Sequence, residues 1–224
     1  MTSELYNVAE EVKSHRQAEH DVQPIFLNRW SPRAFSPEPI AEELLWSVFE
    51  AARWAPSSNN EQPWRFLVAR SEADRKRFLE FLFPGNQVWA QHAPVLVVVV
   101  AKKTFSHNGN PNPVATFDCG CAWGYLALQA LHNGLITHGM AGFDRDAARA
   151  ALNVPQDYDP VAVLAIGRHG DKALLPEAVQ QREVPSGRRP AAESVMEGGF
   201  QPPAEASAEA DTQNTESQQE KQSP

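Results

Sequence analysis

The chain has 224 residues, 42% of them hydrophobic, and a formal net charge of −8. Six acids and one base from Glu197 onward carry −5 of that charge, leaving a body close to neutral. With no basic stripe, nucleic acid is set aside as a main ligand. The N-terminal stretch MTSELYNVAEEVKSH is polar throughout, and the longest apolar run, APVLVVVVA, is too short to span a bilayer as a helix. No membrane segment and a cytoplasmic location are expected.

In chain order, residues 4 to 20 read as a polar helix. The stretch PEPIAEELLWSVFEAARWAP places Ile40, Leu44, Leu45, Val48, Phe49 and Ala52 at helical spacing, with Glu42 and Glu43 in the first turn and Pro56 as the stop. WRFLVAR (64–70) predicts a strand, and Ser71 is placed to cap the helix that follows. Val95 to Ala101 predict a second strand, continuously apolar and therefore covered on both faces. After the turn-rich HNGNPNP (107–113), the longest helical pattern runs from Val114 to His132 and closes on Gly134. Gly120, Gly124 and Ala127 line one side of it, which suits either a close crossing inside one core or a subunit interface. LITHGMAGF leads to a short helix, DRDAARAAL, and VAVLAIGRHG (161–170) predicts a third buried strand. One domain is expected over 1–197, and the acidic tail 198–224, poor in aliphatic residues, is expected to be disordered.

Several chemistries lack their motifs. There is no Gly-x-Gly-x-x-Gly after a strand, no P-loop and no Gly-x-Ser-x-Gly elbow. His132 and His138 straddle a glycine turn without zinc spacing, so no metal site is expected. Cys119 and Cys121, two apart on a helix, point to different sides and read as small residues of a reduced compartment. What remains is a set of polar islands at the ends of apolar elements. RWSPRAF (29–35) sets Arg29, Ser31 and Arg33 close together; such a cluster is either a solvated turn or a grip on a small dianion. APSSNNEQPW (55–64) ends a helix in hydroxyls and amides that both donate and accept, suited to the edge of a heterocycle. HGMAGFD (138–144) lets backbone N–H groups approach a ligand, and SGRRP (186–190) brings two late arginines.

Taken in this order, the islands resemble the nitroreductase family of FMN-dependent oxidoreductases, over roughly Asn28 to Met196. The resemblance implies an α+β fold, with a mostly antiparallel central sheet flanked by helices, in an intertwined homodimer. It implies that Arg29, Ser31 and Arg33 grip the FMN phosphate, with Arg188 or its neighbour Arg189 closing from the C-terminal side. Trp30 belongs to the same segment. Pro56, Ser57, Ser58 and Asn60, with Gln62 as either a ligand contact or a turn brace, would reach the flavin from the partner subunit. Met140, Ala141 and Gly142 would line the isoalloxazine near N5.

The implied activity is a ping-pong transfer of electrons from NADH or NADPH, through bound FMN, to a nitroaromatic, quinone or similar small-molecule acceptor. No side chain is required as acid or base, so no catalytic residue is named. Flavin cleavage in benzimidazole synthesis, reductive dehalogenation and dehydrogenation are alternatives within the family. A non-catalytic scaffold using the acidic tail is the alternative outside it. Trp30 departs from the basic residue or histidine common there, Ser186 from the basic residue common two before Arg188, and Glu61 from a small polar residue. Glu61 is therefore expected to change the charge of the pocket and its substrate preference.

Overall fold

The computed structural model describes residues 7–201. Two short helices, α1 (Glu10–Lys13) and α2 (Pro24–Asn28), precede an edge strand, β1 (Phe35–Ser36), and helix α3 (Glu42–Arg53). Strand β2 (Trp64–Ala69) follows, then α4 (Glu72–Glu80), α5 (Pro84–Ala90) and β3 (Val95–Lys102). The long α6 (Ala115–His132), β4 (Ile136–Met140), α7 (Arg145–Ala151), β5 (Tyr158–His169) and α8 (Glu177–Gln180) complete the order.

Every strand pairing is antiparallel; the sheet runs β1-β5-β3-β2, with β4 also paired to β5. Alternation along β3 divides the core. Val95, Val97, Val99 and Ala101 pack with Leu45 and Val48 of α3 and Ala122 and Leu126 of α6. Leu96, Val98 and Val100 pack on the other face with Phe78, Phe81, Trp89 and Phe143. A run buried on both faces has no polar alternation to show, which is why β3 reads as continuously apolar. At about 1.5–3 kcal/mol for each fully buried valine or leucine, this strand anchors both layers.

The expected caps hold. Ser71 accepts from the Asp74 N–H at 3.1 Å, and Gly134 ends α6 with φ of +70°. The expected N-terminal helix over 4–20 is corrected: only Glu10–Lys13 is helical among its described residues, and 4–6 lie outside them. Val12 is the one buried residue of that turn, so a longer helix would have no apolar stripe to dock. The short α2, β1 and α8, together with α5 and β4, have no counterpart among the expected elements. α5 starts at Pro84, where the chain turns after α4, and β4 forms from the polar ITHGM because β5 offers it a ladder.

β1 is held tightly against the end of β5. The Gly170 N–H donates to Ala34 C=O at 2.8 Å, and a Cβ on Gly170 would come within 2.6 Å of the Phe35 carbonyl carbon and the Ser36 nitrogen. Those are main-chain atoms and cannot rotate away. Gly170→Ala should therefore cost about 2–3 kcal/mol, read as a lower urea midpoint at unchanged slope. An unchanged midpoint would show that β1 can shift freely.

By contacts, the described chain divides into two units: residues 7–17 with 22–186, and residues 18–21 with 187–201. In the second, the Ala191 N–H donates to Glu19 Oε2 at 2.9 Å. The expected boundary at 197/198 falls within this unit, and residues 202–224 of the acidic tail lie outside the described residues.

Candidate functional site

The segment 29–34 is a strap leading into β1, and its backbone is fixed from three directions. Arg16 Nη1 donates to the Leu27 and Arg29 carbonyls, and Arg16 Nε to Ser186 C=O at 2.8 Å. His138, on β4, approaches the Pro32 carbonyl with Nδ1 at 3.0 Å; because a carbonyl only accepts, Nδ1 carries the proton. Glu183, with 1% of its side chain exposed, accepts from the Arg33 and Ala34 N–H groups at 2.8 and 2.9 Å. On this strap Arg29 Nη1 donates to Ser31 Oγ at 3.3 Å, and Arg33 Nη1 donates to the Arg182 carbonyl. Burial, and then the neighbouring Arg182 charge, lower the Arg33 pKa against the pull of Glu183. The arrangement presents an arginine fork, a hydroxyl and a second guanidinium on a rigid main chain.

Three titrating groups surround the strap. Burial pushes His138 down to about 4, opposed by its bond to the Pro32 carbonyl. Burial also pushes the Glu183 carboxyl up, but His169 and the Ala34 and Arg33 N–H groups together hold it below its ordinary value. His169, 3.6 Å away, is raised by Glu183 against the cost of its own burial. A depressed histidine contributes stability above its unfolded pKa of 6.5 and loses it as pH falls toward its folded value. By linkage this removes about 3 kcal/mol by pH 4. His138→Gln keeps a donor for Pro32 but cannot titrate. Its stability should fall by about that much less than the wild type's between pH 7 and 4, measured by denaturant unfolding.

A cavity of about 840 Å³ opens beside the strap. Leu131, Leu135, Ile136 and Thr137 line its floor, with Arg29 and His169 at its wall. Thr137 Oγ1 is buried without a protein partner. Trp30 sits edge-on to His169 with ring centroids 5.8 Å apart and donates to Glu11 Oε1 at 3.3 Å. The cavity falls within the range of small-molecule sites.

The Ser57–Gln62 turn lies elsewhere in the same unit. Ser57 Oγ accepts from the Gln62 N–H at 3.0 Å, and the Ser58 N–H donates to Asp118 Oδ2 at 3.1 Å. Gln62 Nε2 donates to the Asn60 carbonyl and to Asn60 Oδ1, so Gln62 braces the turn. Pro56 is exposed just before it. Asp118 stands near the N-terminal end of α6, whereas Leu131 and His132 beside the Arg29 cavity stand at the C-terminal end, roughly 20 Å along the helix axis at 1.5 Å per residue. One protomer therefore does not bring the two polar islands together. Glu61, expected to change the charge of the pocket, has partners within its own protomer. Its carboxylate, 5% exposed, accepts from the Ser106 N–H and hydroxyl and lies 3.6 Å from Lys102 Nζ. These contacts hold its pKa below the ordinary value, with the Ser106 hydroxyl the largest cause.

At the end of β4, Met140 has 3% of its surface exposed and packs in the core, so only its main chain can meet a ligand. The Gly142 carbonyl accepts from the Phe83 N–H and from Asn86 Nδ2 at 3.0 Å. Among the described residues the Ala141 and Gly142 N–H groups have no protein acceptor. Asn86 was not singled out from sequence; an amide one turn into a helix carries no local mark of its tertiary partner. Arg188 and Arg189 lie in the second unit, where Arg188 Nη1 donates to Gly187 C=O at 2.8 Å. Cys119 and Cys121 are free thiols; burial, then the Asp118 charge, push Cys119 up to about 12. Among the described residues, no group of three or more His, Cys, Asp or Glu could hold a metal ion. Among them, too, no helix is long and apolar enough to cross a membrane.

Helices on both faces of an antiparallel sheet, with polar loops gathered at strand and helix ends, define an α+β enzyme fold. Residues 27–91 and 82–168 match the model of the nitroreductase family. The chain belongs to that family. It is 29% identical over 178 residues to an NADH dehydrogenase of Thermus thermophilus, covering 66% of this chain and 86% of that protein. A crystal structure of an oxidoreductase containing FMN superposes with a TM-score of 0.80 at 44% identity, covering 84% of this chain and 97% of the other. An FMN-dependent nitroreductase from Clostridium difficile R20291, at 22% identity and TM-score 0.59 over 77% of this chain and 96% of the other, shares the fold.

Proposed function

We propose that the protein is an FMN-dependent NAD(P)H oxidoreductase acting in the cytoplasm, where its two free thiols stay reduced. When bound, FMN would supply the redox chemistry linking NADH or NADPH to a nitroaromatic, quinone or similar acceptor, in a ping-pong route. The observation that carries this reading is the strap, where Arg29, Ser31 and Arg33 stand on a main chain immobilised by Arg16, His138 and Glu183. A dianionic phosphate suits that donor set, and Arg188 or Arg189 would add a further cation. The Ala141 and Gly142 N–H groups, without an acceptor among the described residues, would donate to the polar edge of the ring.

Ser57, Ser58 and Asn60 would come from a second copy of the chain. Gly120 and Gly124 meet open space in their own protomer, and on the same helix Phe117 is 73% and Tyr125 44% exposed. Two α6 helices packed antiparallel about a two-fold axis would set the Asp118 end of one beside the His132 end of the other. That arrangement brings the Ser57–Gln62 turn of one subunit to the strap of its partner.

The test is the purified protein itself. It should be yellow, bleach when NADH or NADPH is added without oxygen, sediment as a dimer and give parallel double-reciprocal plots with acceptor. A colourless protein that takes up no added FMN would overturn the reading.

A further inference from the structure

Within the Ser57–Gln62 turn, three side-chain-bearing residues have left-handed backbones: Asn59 (φ 52°), Asn60 (φ 53°) and Gln62 (φ 49°). Each is unfavourable for an L-residue, least so for asparagine. Between the last two stands Glu61, with ordinary helical φ and ψ of −67° and −30°. Its carboxylate reaches away from the turn and accepts from the Ser106 N–H at 2.9 Å and the Ser106 hydroxyl at 2.6 Å. Lys102 Nζ lies 3.6 Å from the same carboxylate and also donates to Ser106 Oγ. Lys102 ends the central strand β3, and its N–H is bonded to the Pro63 carbonyl at 2.9 Å. The strained turn is thus tethered, midway between two left-handed residues, to the end of β3, a strand paired on both sides.

We propose that Glu61 is a positioning residue, whose bonds to Ser106 and Lys102 hold the Ser57–Gln62 turn in the backbone that offers Ser57, Ser58 and Asn60 to the flavin. The inference rests on the flavin reading above. The carboxylate touches no ligand; it acts by opposing relaxation of Asn59, Asn60 and Gln62 toward ordinary φ. Asn59 is exposed and stands outside the binding set, so it provides a clean probe, because glycine adopts φ near 50° without penalty.

The experiment follows equilibrium flavin loss on dilution of the full-length protein, alongside amide exchange. Glu61→Ala should weaken FMN binding about tenfold, and Glu61→Gln, which keeps one acceptor oxygen, about threefold. Adding Asn59→Gly to Glu61→Ala should restore most of the loss, which a general loss of stability would not allow. Wild-type affinity in Glu61→Ala, or no recovery in the double variant, would overturn the proposal. Independently of flavin, the Gln62 and Ser106 amides should exchange more than tenfold faster in Glu61→Ala; unchanged Gln62 exchange would also overturn it. If the wild type bound no FMN, the flavin reading would fail while the exchange measurement still decided the role of Glu61.

Discussion

Arg29→Ala should weaken FMN binding roughly ten- to hundred-fold, and Arg33→Ala by a similar factor. Each removes one charge-assisted contact to a phosphate, worth about 1.5–3 kcal/mol. The loss should not be recovered by rearrangement, because the main chain carrying both residues is pinned by Arg16, His138 and Glu183. Arg29→Lys should fall between, keeping the charge but not the planar fork. Riboflavin, which lacks the phosphate, provides the internal control: its affinity should change little in either variant. Titration by flavin fluorescence reads all of these, and wild-type FMN affinity in both alanine variants would remove the phosphate from the strap.

The second large effect falls on stability. Glu183→Ala leaves the Arg33 and Ala34 N–H groups without their acceptor in a site where Ala34 is buried. An unsatisfied buried donor costs about 1–3 kcal/mol, so a total near 3 kcal/mol is expected. Glu183→Gln keeps one oxygen and should cost about half as much. A pH signature accompanies the loss. His169 is raised by its ion pair with Glu183, so its contribution is fully present below pH 6.5 and disappears as pH rises through its folded value. In Glu183→Ala that alkaline decline should shrink, leaving only the smaller pull of the Glu11 charge. Denaturant unfolding between pH 6 and 9 measures both effects; wild-type stability in the alanine variant would show that the strap stands without Glu183.

What the sequence made legible was what local periodicity encodes. α3 and α6 each carry an apolar stripe, β3 is apolar on both faces, and Ser71 and Gly134 punctuate their helices by side-chain and backbone chemistry that acts within a few residues. β4 was hidden because Thr137, His138 and Gly139 have no strand-forming pattern; β5 decides their conformation through its ladder. The polar islands could be read as islands, yet their supports could not. His138 lies 106 residues from Pro32, and Glu183 lies 150 from Arg33, so neither bond leaves a trace in local spacing. Glu61 is a further case, since its ion pair with Lys102 and its bond from the Ser106 hydroxyl join residues 41 and 45 positions apart.

The central claim is that the strap is built for the phosphate of FMN. The most direct measurement is the ratio of FMN to riboflavin affinity in the wild-type protein at one salt concentration. A preference for FMN of at least about a hundred-fold is expected from two or more charge-assisted phosphate contacts. Equal affinities, or binding of neither, would contradict it.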